Sequence, residues 1–179
     1  MLSQLIHTLP AAIQPTAIRN LDKVSEALSH CPDQSDAFYN DLIRVLAGSD
    51  YVADQLARSP MLLAELRQHN DLYRAYPTGE YQQQLSQLLI SVDNEEQLHH
   101  QLRQFRQREM VRIIWRDLTR AVDMRATTAD LSALADACID EALTWLYNDC
   151  CNKWGTPHAS PAEGLPAQPQ QLVVLGMGK

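Results

Sequence analysis

The chain has 179 residues, 45% of them hydrophobic and 21% charged, enough to bury a real core as one domain or one and a half. A net charge of −7 and a pI near 5.2 exclude a general nucleic-acid binder, which carries a basic excess, while leaving room for a local basic stripe. Four cysteines (Cys31, Cys138, Cys150, Cys151) are too sparse for a disulfide framework, the absence of Cys-x-x-Cys argues against a zinc or thioredoxin-like site, and they read as small helical hydrophobes.

In chain order, Leu2, Leu5, Ile6 and Leu9 predict a short helix stopped by Pro10. Pro10 and Pro15 interrupt any signal-peptide pattern, and no window has the length of a membrane span, so the chain reads as soluble and cytoplasmic. Thr16 is expected to cap a helix carrying Ile18, Leu21, Val24 and Leu28, ending near Cys31-Pro32. Ser35 caps the next, with Phe38, Leu42, Val45 and Leu46 on one side and Gly48 as its C-terminal cap. Ser49-Asp50 opens a helix to Arg58, and Ser59-Pro60 signals another with Met61, Leu62, Leu63 and Leu66 as its apolar face. Short helices with tight connections suit a multi-helix orthogonal bundle.

After the Pro77-Thr78-Gly79 turn a helix is expected from about Glu80 to Val92. Asp93 with Glu96 forms a capping-box-like start for a long helix over about Asn94–Val122, whose apolar stripe includes Leu98, Leu102, Phe105, Val111, Ile114, Trp115 and Leu118. Arg108, Arg112, Arg116 and Arg120 fall four apart on this helix, with Glu109 and Asp117 near enough to pair. Two readings stand side by side: a solvated, structural face laced by ion pairs, or a phosphate-facing surface, since guanidinium forks suit phosphate oxygens. Glu109, inside the arginine run, is a candidate for a buried role, with the plainer reading an intrahelical partner of Arg112, and His99-His100 read as surface histidines.

Thr127-Thr128 with Asp130 is expected to cap the last long helix, about Ala129–Trp154. A metal site built from Cys138, Cys150, Cys151 and His158 is conceivable by count alone, but its spacing matches no common pattern. Gly155 to Gln170 carries four prolines and reads as an irregular connection. Leu172-Val173-Val174-Leu175 is the one convincing strand signal, running into the turn Gly176-Met177-Gly178-Lys179, where glycines let the backbone approach a ligand beside a lysine charge. A P-loop would need glycine at Val173, and a dinucleotide fold would need a third glycine and a βαβ setting.

Three stretches together resemble one family. Leu102 to Leu118 (LRQFRQREMVRIIWRDL) resembles the signature helix of the bacterial bifunctional glutamine synthetase adenylyltransferase/adenylyl-removing enzyme. Leu172 to Lys179 is similar to the opening of that family's nucleotidyltransferase core, and Ser49 to Leu66 to its early helical segment. The resemblance covers roughly Phe38 to Lys179.

It implies an N-terminal fragment of a large cytoplasmic enzyme. Its N-terminal half removes AMP from a tyrosine of glutamine synthetase by phosphorolysis, giving ADP, and its second half attaches AMP from ATP. Expected partners are glutamine synthetase, a PII-type nitrogen signal protein, ATP/ADP and phosphate, with neither membrane nor nucleic acid. Residues 1–154 would be the helical region, 155–170 the connection, and 171–179 the first strand and glycine turn of a truncated nucleotidyltransferase-like α+β domain. Gly176, Gly178 and Lys179 match the start of its phosphate-side loop. Mg²⁺ is implied for the parent enzyme through an Asp-x-Asp motif that residues 1–179 lack, so this piece is expected to be inactive alone and to contribute no catalytic or metal residue. The rival reading is a non-catalytic helical protein-interaction module.

Overall fold

The computed structural model describes residues 2–31, 35–160 and 167–176. Among them the chain is mainly helical, as its apolar periodicity requires: α1 (Leu2–Ile6), α2 (Gln14–Lys23), α3 (Ser25–Ser29), α4 (Asp36–Gly48), α5 (Asp50–Arg58), α6 (Leu62–Gln68), α7 (Glu80–Leu89), α8 (Glu95–Leu118) and α9 (Met124–Trp154). The helices distribute into two compact units: residues 1–77 with 105–132, and residues 78–104 with 133–179. The division falls within both α8 and α9.

In the first unit Leu42, Leu46, Leu56, Leu63, Leu66 and Leu72 bury completely and pack with Val111 and Trp115 of α8. Phe38 stacks on Trp115 with ring centroids 5.5 Å apart. A smaller cluster of Ile6, Ala17, Ile43 and Ala47 seats α1 and α2 on α4. In the second unit the buried residues are Tyr81, Leu85, Leu89, Val92, Leu98, Leu134 and Ala137, and the Trp145 indole N–H donates to the Val92 carbonyl at 3.2 Å.

Several boundaries differ from expectation, each for a local reason. Pro15 sits in the first turn of α2, so Thr16 is not its cap, and the helix breaks at Val24 before α3. Ile18 is half exposed; the buried polar residue of α2 is Asn20, whose amide donates to the Leu46 carbonyl at 2.9 Å and to Asp50 Oδ1 at 2.8 Å. Ser35 and Ser49 cap α4 and α5 as expected, accepting from the Phe38 and Val52 amides at 3.3 and 3.2 Å.

Gly48 is no left-handed cap but the last residue of α4, and a Cβ there would lie 3.1 Å from both Leu118 methyl groups. Ser59 does not cap α6; its carbonyl accepts from the Leu62 amide at 3.0 Å in a turn ahead of that helix.

The capping box of α8 lies one residue beyond the expected Asp93. Asn94 Oδ1 accepts from the Gln97 amide at 3.0 Å while Gln97 Oε1 accepts from the Asp93 amide at 2.9 Å. α8 stops at Leu118 rather than Val122, where Arg120 takes φ 58° and the Ala121 amide reaches back to the Arg116 carbonyl at 2.9 Å. Asp123, not Thr127, caps α9 by accepting from the Ala126 amide at 2.8 Å. That leaves Thr127 and Thr128 inside the helix with their hydroxyls turned back onto the Asp123 and Met124 carbonyls.

The expected C-terminal strand is the main correction. Residues 171–176 form no ladder, and Leu172, Val173, Val174 and Leu175 are 68, 74, 48 and 82% exposed. Strand propensity measures packing on a sheet, and among the described residues there is no sheet for this run to join. Among the described residues there is therefore no nucleotidyltransferase-like α+β domain. The nearest pairing is a lone antiparallel bridge between His158 and Pro169.

Candidate functional site

The arginine row of α8 lies in the first unit, and the structure turns it inward. Its setting begins at the end of α6. There Asn70 takes a left-handed conformation with φ 57°, and the Asp71 amide closes onto the Leu66 carbonyl at 2.8 Å. This turn buries Asp71, with a side chain 3% exposed, and brings Arg74 and Tyr76 alongside α8.

Asp71 grips two guanidinium groups, Arg108 Nη2 at 2.5 Å and Arg74 Nη2 at 2.9 Å. Arg108 also bonds Glu109 and donates to the Tyr76 hydroxyl at 3.3 Å. Arg112 is fully buried and donates through Nη2 to the Arg74 carbonyl at 2.6 Å. Its Cζ lies 3.4 Å from the centroid of the Tyr76 ring, with Asp130 and Glu109 oxygens at 3.8 and 3.9 Å. One turn on, Arg116 Nη1 meets Asp130 Oδ2 at 2.5 Å. The result is a lattice of four arginines, three carboxylates and one tyrosine.

Burial and partnership pull the acids in different directions. Burial raises the Asp71 carboxyl, but the hydrogen bonds from Arg108 and Arg74 and their charges outweigh it and hold the group below its ordinary value. For Glu109 burial wins over the opposing charges of Arg108 and Arg112, and its carboxyl is pushed up. Arg108 loses some of its affinity for the proton to burial but gains more from Glu109, Tyr76 and Asp71, so its guanidinium stays charged.

Arg112 and Arg116 are buried, and acids of the same unit, Glu109 and Asp130, lie beside their guanidinium groups. Glu109 faces Arg112 as expected, at a long 3.9 Å, and is more tightly bound to Arg108. Arg120 lies beyond the helix and is exposed. Gly176 is exposed, with no atom within 4 Å of a Cβ built on it, while Gly178 and Lys179 lie outside the described residues.

Asp71, Arg74 and Tyr76 went unread in the sequence because they are distant from α8 along the chain, and Asp130 was read only as part of the cap of α9. The signal that marks burial is the run Val111-Arg112-Ile113-Ile114-Trp115-Arg116, in which apolar residues flank Arg112 on both sides and precede Arg116.

Fold and site together define a helical module closed on a buried arginine–carboxylate lattice. Residues 39–179 match the family model of glutamate-ammonia ligase adenylyltransferase, and the chain belongs to that family. It is 39% identical over 176 residues to a bifunctional glutamine synthetase adenylyltransferase/adenylyl-removing enzyme of Pseudomonas putida, covering 96% of this chain and 18% of the relative. The same enzyme of Pseudomonas aeruginosa is 40% identical over 179 residues, again 96% and 18%. That of Pseudomonas syringae pv. tomato is 43% identical over 164 residues, 92% of this chain and 16% of the relative. The chain thus spans less than a fifth of the length of these curated relatives.

Proposed function

We propose that this chain is the helical front of an adenylyl-removing enzyme acting on glutamine synthetase, and that it serves there as scaffold. The parent reaction is phosphorolysis of the AMP–tyrosine bond to give ADP, with a second half attaching AMP from ATP. The observation that carries the scaffold role is the state of the arginines. A guanidinium row suited to phosphate is already engaged by Asp71, Glu109 and Asp130, so it organises the fold and leaves the reacting phosphates to other residues.

Mg²⁺ chemistry belongs to the same proposal, but these residues do not fit the ion. The lattice carboxylates are bonded to arginines, and among the described residues no group of three or more His, Cys, Asp or Glu is placed to hold a metal. Gly176, Gly178 and Lys179 are proposed as the start of the loop that approaches the nucleotide phosphates, and a PII-type signal protein as a regulator of the parent. No helix among the described residues is long and apolar enough to cross a membrane.

The test compares residues 1–179 with a chain of the relatives' full length, assayed for phosphate-dependent ADP release from adenylylated glutamine synthetase. Only the longer chain is expected to release ADP. Release by residues 1–179 alone would overturn the scaffold reading. Failure of both, with tight binding of residues 1–179 to glutamine synthetase, would favour an interaction module, a reading that the exposed Leu172–Leu175 run supports.

A further inference from the structure

The last turns of α9 carry two adjacent thiols, Cys150 and Cys151, both free. Cys150 is exposed and Cys151 half-buried. Lys153 stands beside Cys150, its ammonium bonded to Asp149 at 2.6 Å, and the Tyr147 hydroxyl lies against the Cys151 sulfur one turn on. The other two cysteines are placed out of this chemistry. Cys31 is buried, and Cys138 sits twelve residues before Cys150 on the same helix, about 18 Å away along its axis.

Successive side chains on a helix diverge by about 100° around its axis. A disulfide needs Cα atoms usually about 4.4–6.8 Å apart and Cβ bonds that converge, whereas neighbours across a trans peptide have Cα atoms about 3.8 Å apart. An S–S bond between Cys150 and Cys151 therefore distorts the backbone between them, and that bond and the helical end of α9 exclude each other. The end can be given up at small cost. Leu134 and Ala137, the buried residues of α9, come well before it, Trp154 is exposed, and helix termini open with free energies near zero. What it holds is the exit from the helix. The Gly155 amide donates to the Cys151 carbonyl at 2.9 Å, with Gly155 left-handed at φ 85°. Beyond that cap the connection doubles back, the Gln170 amide donating to the Pro157 carbonyl and the Ala159 amide to the Gln168 carbonyl, each at 2.9 Å.

From this arrangement we propose that Cys150 and Cys151 form a thiol–disulfide exchange site for low-molecular-weight disulfides, whose oxidation unwinds the end of α9. An exposed nucleophile beside a second, resolving thiol is the arrangement that redox sensing uses. The Cys150 thiolate attacks one sulfur of the small disulfide, forming a mixed disulfide and releasing one small thiolate. The Cys151 thiolate then attacks the Cys150 sulfur and displaces the second. Two protein thiols and one small disulfide thus become a Cys150–Cys151 disulfide and two small thiols. The protein sulfurs lose two electrons, the small disulfide gains them, and the two thiol protons pass to the released thiolates. The product is strained and so labile, and it reverts when reduced thiol prevails. The site makes the exit from α9 responsive to thiol redox balance.

The experiment equilibrates the 179-residue chain with glutathione disulfide and reduced glutathione at graded ratios. Intact mass and the tryptic fragment 126–153 identify the product, and hydrogen exchange follows the amides of Cys151 to Gly155. An internal Cys150–Cys151 bond is expected, with exchange at those amides at least tenfold faster and the amides around Leu134 and Ala137 unchanged. Dithiothreitol should restore both the thiols and the protection. Cys138→Ser should behave as the parent does, whereas Cys151→Ser should stop at a glutathione adduct on Cys150 with the helix end still protected. An adduct on the parent chain that never closes, a bond that involves Cys138 or joins two chains, or closure with unchanged exchange would overturn the proposal.

Discussion

Replacing Arg112 with methionine tests whether the lattice holds the first unit together. The substitution keeps an unbranched side chain of similar length and removes the guanidinium. Lost with it are a 2.6 Å bond from a charged donor to the Arg74 carbonyl and the packing of Cζ on the Tyr76 ring at 3.4 Å. A hydrogen bond involving a charged group contributes about 1.5–3 kcal/mol, and a desolvated cation–π contact about 2 kcal/mol. Asp130 and Glu109 keep Arg116 and Arg108, but the two longer pairings at 3.8 and 3.9 Å disappear. Relief of the guanidinium's own desolvation offsets part of this, and truncating one member of a buried ionic group costs about 3–5 kcal/mol in net terms.

With a urea slope of about 2 kcal/mol/M, that predicts a midpoint lower by about 1.5–2.5 M, read by circular dichroism at 222 nm. The exposed Arg106→Met is the control, expected within about 0.5 kcal/mol of the parent. An Arg112→Met variant within about 1 kcal/mol of the parent would refute the reasoning and reduce the lattice to ornament on an apolar core.

Three further outcomes follow from the same geometry. Asp71 is held below its ordinary value of 3.8, so its stabilisation is complete above that pH and is lost as pH falls through the folded value. Asp71→Asn should therefore flatten the acid limb of the unfolding midpoint below pH 4, while an unchanged limb would count against the assignment. Gly48→Ala should gain about 0.5–1 kcal/mol of helix preference yet lose more to the 3.1 Å approach on Leu118, a net destabilisation of about 1 kcal/mol in thermal melts. In a Leu118→Ala background its sign should reverse; destabilisation there would place the strain elsewhere.

The Tyr73 phenol is pushed up to about 12 by burial first and by its bond to Asp41 second. Stability should thus decline as pH rises from 10 towards 12, and Asp41→Asn should move the Tyr73 titration, followed by ring-carbon NMR, back towards 10 without reaching it. No movement would mean that Asp41 has no part in it.

How much was legible depended on distance along the chain. Ser35 and Ser49 were readable because a cap and its helix are neighbours, and the apolar faces of α4 through α6 because their spacing is local. Thr127 misled for the same reason: two residues of capping type competed, and Asp123, earlier and charged, took the position. The inward turn of Arg112 and Arg116 was half visible in the apolar residues around them. Their partners Arg74 and Asp130 arrive through tertiary contact that no spacing on α8 reports. Leu172 to Leu175 has the composition of a strand, but a strand needs a neighbour to bond, and composition does not supply one.

The discontinuous make-up of the first unit has a consequence for synthesis. Its leading part ends at Pro77, yet Leu42, Leu46 and Leu72 share their core with Val111 and Trp115, and Asp71 finds Arg108 only on α8. A nascent chain that has released its first 77 residues therefore presents an unfinished apolar surface and unmatched charges to the ribosome exit. It must also close over the intervening segment 78–104 before they are met. The wait ends only when Asp130 emerges to meet Arg116, so the gap between Pro77 and Ser132 is the interval in which a holding chaperone matters most to this protein.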